Sequence, residues 1–251
     1  MKYSPLKLSE KNVALFGSLT SVVQAMATTF VEHGSDVVIV TTDINHAQRY
    51  CNNLNDLREI HSYYGRSRAL EASPKNPNEA KETISRVAET FGGVDIFVDA
   101  QLLSLQEQLL KEKKETHSES FNICHLMTEA AEEFLKGRSR GRIIYLYHYL
   151  LQESVQMCDS SIENYIRKKS QDYKSDNVTV NGVALGACDE FLLCKYPNVS
   201  VSEALKKLNE DHPLAGMVDS YDVANLVSFL ASPLSSAITG QTIHVTNGLD
   251  L

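Results

Sequence analysis

Short apolar runs recur along this chain, and each is followed by a longer segment whose apolar residues return every three or four positions. NVALF (12–16) precedes 20–32, DVVIV (36–40) precedes 45–57, RALEA (68–72) precedes 78–91, and VDIFV (94–98) comes next. A strand joined through a helix to a parallel neighbour needs a crossover of about a dozen residues, nearly always right-handed. The rhythm therefore predicts a parallel sheet with helices on both faces. It continues through an amphipathic segment at 117–135, GRIIYLY (141–147), a helical stretch over 152–175, VTVNGVALG (178–186), YDVANLVSFLA (221–231) and GQTIHVTNG (240–248). No repeat or linker interrupts it, so one domain is expected over 1–251, with a lid or insert at about 188–212 between a strand and the last helix.

Charge and cysteine usage narrow the partners. With 24 Lys and Arg against 32 Asp and Glu, the net charge of −8 repels polyanions, so neither nucleic acid nor an anionic membrane is expected. The basic run KGRSRGR (136–142) is short enough to be a solvated loop. Five cysteines without a C-x-x-C pair fit a reducing cytoplasm rather than a disulfide framework. No apolar run is long enough for a membrane span or a signal peptide, and no His/Cys spacing suits a metal, so no metal site is expected.

The closing stretch SYDVANLVSFLASPLSSAITGQTIHVTNG, with NVTVNGVALG before it, resembles the short-chain dehydrogenase/reductase family, and the likeness extends over nearly the whole chain. The resemblance implies a Rossmann-like, doubly wound sheet of seven parallel strands, NAD(H) or NADP(H) as cofactor, and assembly into dimers or tetramers. The family's first turn, T-G-x-x-x-G-x-G, falls on Phe16, Gly17, Ser21 and Val23, keeping one glycine of three. Those glycines let the backbone approach a pyrophosphate at a helix N-terminus, and a β-branched Val23 is expected to fill that space. Thr41 and Thr42, with Asp43 after them, stand where the family holds the ribose. Ser73 replaces an adenine-contacting Asp, and Asp99, Ala100, Gln101 and Leu102 replace N-N-A-G. These departures lead to the expectation that this chain holds no dinucleotide.

In the family an Asn, a Ser, a Tyr and a Lys carry the reaction, with the Tyr as acid/base. Tyr165 and Lys169 match its Y-x-x-x-K. They stand closer to Asn181 than the family spacing by nearly three helical turns, roughly 15 Å at about 1.5 Å per residue, which predicts a phenol midway along its helix. Counting back from Asn181 instead gives Val155 and Asp159, neither able to replace Tyr and Lys; the Asn and Ser positions fall on Ser120 and His148. His148 has the chemistry of an acid/base group near neutral pH.

Degenerate cofactor and catalytic positions beside an intact C-terminal helix and strand lead to one expectation. It is a subunit without turnover, assembled, as a tetramer, with an active NAD(H)- or NADP(H)-dependent alcohol dehydrogenase or ketoreductase paralogue, similar to the inactive subunit of the heterotetrameric 2-(α-hydroxybenzyl)succinyl-CoA dehydrogenase of anaerobic toluene breakdown. The alternatives are an active dehydrogenase using Tyr165 and Lys169, a homo-oligomer among its forms, and a sensor of a ligand other than a dinucleotide.

Overall fold

The computed structural model describes residues 5–112, 118–136, 140–150, 156–157, 160–212 and 216–249. In chain order the elements begin with β1 (Asn12–Phe16), α1 (Ser21–Glu32), β2 (Asp36–Thr41), α2 (Ile44–Ile60), β3 (Ser67–Glu71), α3 (Pro77–Phe91), β4 (Ile96–Asp99) and α4 (Gln101–Glu112). They continue with α5 (Ser118–Lys136), β5 (Arg142–His148), β6 (Gln156–Met157), β7 (Ser160–Ser161), α6 (Ile162–Asp172), β8 (Thr179–Leu185), α7 (Asp189–Lys195), α8 (Val201–Asp211), α9 (Ser220–Ala231) and β9 (Thr242–Val245). Seven strands form one sheet in the order β3-β2-β1-β4-β5-β8-β9. Every pairing in it is parallel, as the Rossmann-like expectation requires.

The sheet is covered on both sides, which is why β1, β2, β4, β5 and β8 read as apolar runs rather than alternating patterns. Residues of α1, α2 and α9 pack on one face, with Met26, Phe30 and Val227 fully buried against Leu15, Ile39 and Ile144. Residues of α3, α5 and α6 pack on the other, where Ile84, Met127 and Ile166 meet Phe16, Phe97 and Tyr145. The polar ends of these helices are closed by local chemistry. Asn76 caps α3 by accepting from the N–H groups of Asn78 and Glu79, Pro77 takes the first helical position, and Gly92 ends the helix in the left-handed region at φ 87°. No helix among the described residues is long and apolar enough to cross a membrane.

Two segments depart from the sequence reading. The helix expected over 152–175 is confined to Ile162–Asp172, preceded by the antiparallel pair β6–β7. Its start is fixed by Ser161, whose hydroxyl accepts from the Asn164 N–H at 3.4 Å. The second departure is α4, over a stretch to which the sequence reading assigns no element; the Asp99 carboxylate accepts from the Gln101 N–H at 2.9 Å and so opens the helix directly after β4.

Phe97 is fully buried in the second face, with its ring 5.2 Å from that of Phe16. Phe97→Ala removes this packing without new polar contacts, and the expected loss is about 3–5 kcal/mol, read as a lower urea midpoint at unchanged m-value.

Candidate nucleotide cleft and acid/base cluster

Strand order reverses between β1 and β4, and at that switch point the carboxyl ends of the strands leave a crevice, the place where open parallel sheets bind ligands. Gly17 makes it possible. Its φ of +149° is one that L side chains rarely adopt, and a Cβ there would come within 3.1 Å of the Ala100 Cβ. The Gly17 N–H donates to the Val40 carbonyl at 3.1 Å and the Ala100 N–H to the Phe16 carbonyl at 2.8 Å, so three chain segments are held at one point. Beside them lies a cleft of about 260 Å³ lined by Gly17, Ser18, Thr41, Thr42, Ser73 and Gln101.

Gly17, Thr41 and Ser73 thus stand together on the cleft wall, as their family positions imply. Ser21, Val23 and Asp99 do not line it. Val23 is buried at 1% exposure in the core between α1 and the sheet, so it fills helix–sheet packing space rather than the phosphate site assigned to it from sequence. Asp99 is fully buried behind the cleft, accepting from the Gln101 N–H. Ser21 opens α1 and is engaged by Glu190 of α7: its N–H donates to one carboxylate oxygen at 2.5 Å and its hydroxyl to the other at 2.9 Å. The cleft wall thus presents the hydroxyl and amide groups of Ser18, Thr41, Thr42, Ser73 and Gln101, the chemistry that would meet the polar edges of a nucleoside. The helix end where a pyrophosphate belongs is met by a carboxylate of the chain itself.

Tyr165 lies in the first turn of α6, not midway along it, because the helix begins at Ile162. It is 3% exposed, and its ring meets Tyr145 edge-on at 5.8 Å between centroids. Its hydroxyl is 2.9 Å from His125 Nδ1, and His125 Nε2 is 3.1 Å from a Glu129 oxygen. That oxygen also accepts from Lys169 Nζ at 3.5 Å, and Nζ lies 5.8 Å above the Tyr165 ring. Burial lowers the His125 pKa below its usual 6.5; Glu129 opposes the shift, while Lys169 and Lys168 reinforce it. A carboxylate only accepts, so Nε2 carries the proton of the neutral ring and Nδ1 is left to accept from the Tyr165 hydroxyl. Nothing in the sequence marks His125 or Glu129: their i, i+4 spacing on α5 is common on any helix, and only the fold brings them to α6.

His148 closes β5 at 1% exposure, its Nε2 3.2 Å from Glu107 of α4 and its ring 5.0 Å from Phe191 of α7. Its Nδ1 has no hydrogen-bond partner among the described residues. Gln106 accepts from the His148 N–H at 2.7 Å and donates to its carbonyl at 3.4 Å, pinning the strand end to α4. Ser120 falls in α5 with its side chain outside the described residues, and Val155 and Asp159 lie outside them altogether. Among the described residues no cluster of His, Cys, Asp and Glu is arranged to hold a metal.

A family model described as enoyl-(acyl carrier protein) reductase matches residues 17–250. The chain belongs to the short-chain dehydrogenase/reductase family. One relative, the 3-oxoacyl-[acyl-carrier-protein] reductase FabG of Vibrio cholerae, is 24% identical over 97% of this chain and 99% of its own length. The structure of L-sorbose reductase from Gluconobacter frateurii, complexed with NADPH and L-sorbose, superposes with TM-score 0.75 at 16% identity, covering 98% of each chain. A short-chain dehydrogenase from Burkholderia cenocepacia in complex with NADP gives 0.73 at 20% identity over 98% of this chain and all of that one.

These relatives overturn the expectation of an inactive partner subunit, and none of them supports the likeness to the toluene-breakdown subunit. The sequence relative aligned end to end is a reductase, and the full-length structural neighbours are a reductase and a dehydrogenase holding NADPH and NADP. The physical ground for that expectation also fails at two points, since Val23 faces the core and Tyr165 stands at a helix start.

Gly17→Ala places a methyl against Ala100 in a backbone conformation unsuited to it, and the expected cost exceeds about 1 kcal/mol in urea unfolding, with weaker binding of any nucleoside in the cleft.

Proposed function

We propose that the chain is an oxidoreductase that uses a nicotinamide dinucleotide, with Tyr165 as its acid/base group and Lys169 beside it, acting on a ketone or the corresponding secondary alcohol. The observation that carries this reading is the position of Tyr165 in the first turn of α6 with its hydroxyl on the imidazole of His125. The reductase names of the relatives support the reaction class, and the NADPH and NADP of the structural neighbours support the cofactor class.

Gly17, Ser18, Thr41, Thr42 and Ser73 would hold the adenosine end, and the dinucleotide, when bound, supplies or accepts the hydride. The residues of this chain handle the proton. In the oxidation direction His125 takes the phenolic proton, Glu129 stabilises the imidazolium, and the Lys169 ammonium favours the phenolate that then accepts the alcohol proton. In reduction the steps run backwards, and the phenol gives its proton to the carbonyl oxygen. Tyr145 borders this group at the level of the cleft. It pairs with Asp99 across β4 and β5, two residues before Gln101 of the wall, and burial holds its pKa well above the usual phenol range. It stays protonated, a polar neighbour rather than a competing base.

The test is oxidation of NADPH and of NADH in the presence of a 3-oxoacyl thioester or L-sorbose, the compounds suggested by the relatives. The unmodified chain is expected to turn over one of them. Tyr165→Phe is expected to lower kcat/KM by about 10²-fold or more with thermal unfolding little changed. An equal rate in that variant, or no turnover with any pair, rejects the reading. Because the His125 pKa lies below 6.5 and its neutral form is the base, alcohol oxidation should hold down to that pH and fall as the pH drops further.

A further inference from the structure

The turn after β1 joins two features whose connection the sequence conceals, a lost glycine and an acidic residue far along the chain. Helix α1 carries no acid in its own first turn. Thr20 caps it, accepting from the Val23 N–H at 3.3 Å, but supplies no charge to meet the positive end of the dipole, and a helix N-terminus binds carboxylates and phosphates alike. In this structure the partner is Glu190, in the first turn of α7. One of its oxygens accepts from the Ser21 N–H at 2.5 Å and the other from the Ser21 hydroxyl at 2.9 Å. The Ser220 hydroxyl lies 2.9 Å from the same Ser21 oxygen and ties α9 into the contact.

Ser21 occupies the second glycine position of the family turn. A glycine there would offer a carboxylate only its N–H; the serine adds the hydroxyl that makes the grip two-pronged. The residue that reads in sequence as a degraded phosphate site is thus half of an intramolecular ion contact. The other half sits on a short helix whose apolar side, Phe191 and Leu192, packs with Ala187, Ala204 and Leu208 in a small core separate from the two sheet faces.

Resting on the dinucleotide reading above, we propose that Glu190 is a latch: an internal carboxylate seated where the pyrophosphate belongs, which must leave Ser21 before a dinucleotide can bind. The cleft beside Gly17 is open in this structure while Glu190 is seated on Ser21, and neither residue is part of its lining. Two like-charged groups do not share one helix end, and Asp189 and Asp219 border the adjoining groove on the α1–α9 side. An arriving pyrophosphate therefore displaces the Glu190 side chain rather than binding next to it. Apparent affinity for the dinucleotide falls in proportion to the unlatched fraction, so a latch closed in about nine molecules of ten weakens binding roughly tenfold.

The experiment is a fluorescence titration of the full chain with NADPH, and a competition titration with adenosine, for the unmodified chain, Glu190→Gln, Glu190→Ala and Ser21→Gly. The amide variant keeps the size of the side chain and guards against a folding defect in the truncation. All three variants are expected to bind NADPH about tenfold more tightly or better, with adenosine affinity unchanged. Adenosine bound by every form, with NADPH no tighter in the Glu190 variants than in the unmodified chain, overturns the latch and leaves the nucleotide reading standing. Failure of every form to bind either compound overturns the nucleotide reading and the latch with it.

Discussion

Everything at the working edge of this molecule depends on a close approach of backbones, Gly17 against Ala100, at the point where the sheet reverses its order of strands. A parallel sheet buried on both faces offers its ligands only the carboxyl ends of its strands, because its surfaces are already occupied by helices. The strands on one side of β1 run outward to β2 and β3, and those on the other side to β4, β5, β8 and β9. Their connections therefore pass to opposite faces and part at the switch point. The crevice follows from topology, and a residue without a side chain at position 17 keeps it from being filled.

Much of this arrangement was legible in the amino-acid sequence, and for identifiable reasons. Doubly buried strands such as DVVIV and GRIIYLY declare themselves as apolar runs, and the intervals between them are the lengths of crossover helices. Capping chemistry marks the start of α3 at Asn76 and Pro77. The stretch between β5 and β8 was not legible. The spacing of Tyr165 from Asn181 measures chain length alone, and it carries no information on where the helix that holds Tyr165 begins. With β6 and β7 taking up residues before Ile162, the same spacing places the tyrosine at the head of α6.

The cofactor turn shows a second kind of illegibility, in which identity is clear but direction is not. A valine at a glycine position looks like an obstruction, yet position 23 turns toward the core, where a branched side chain packs against the sheet. Position 21, the milder substitution by volume, is the one that changes the chemistry of the edge. Its partner lies 169 residues away in sequence, so no local pattern connects the two. The same holds for His125 and Tyr165, separated by 40 residues and joined by one hydrogen bond. Long-range pairs of polar groups are set by the fold, and they carry most of what this edge of the molecule does.

The dependence of α1 on a residue from the last quarter of the chain bears on synthesis. The first strand and helix leave the ribosome early, but the helix then has only the neutral Thr20 cap at its positive end and β1 lacks β4 on one side. The carboxylate that neutralises that end emerges only after β8. The amino-terminal half is thus an open unit during translation, and its helix is completed when the carboxy-terminal half arrives to close it.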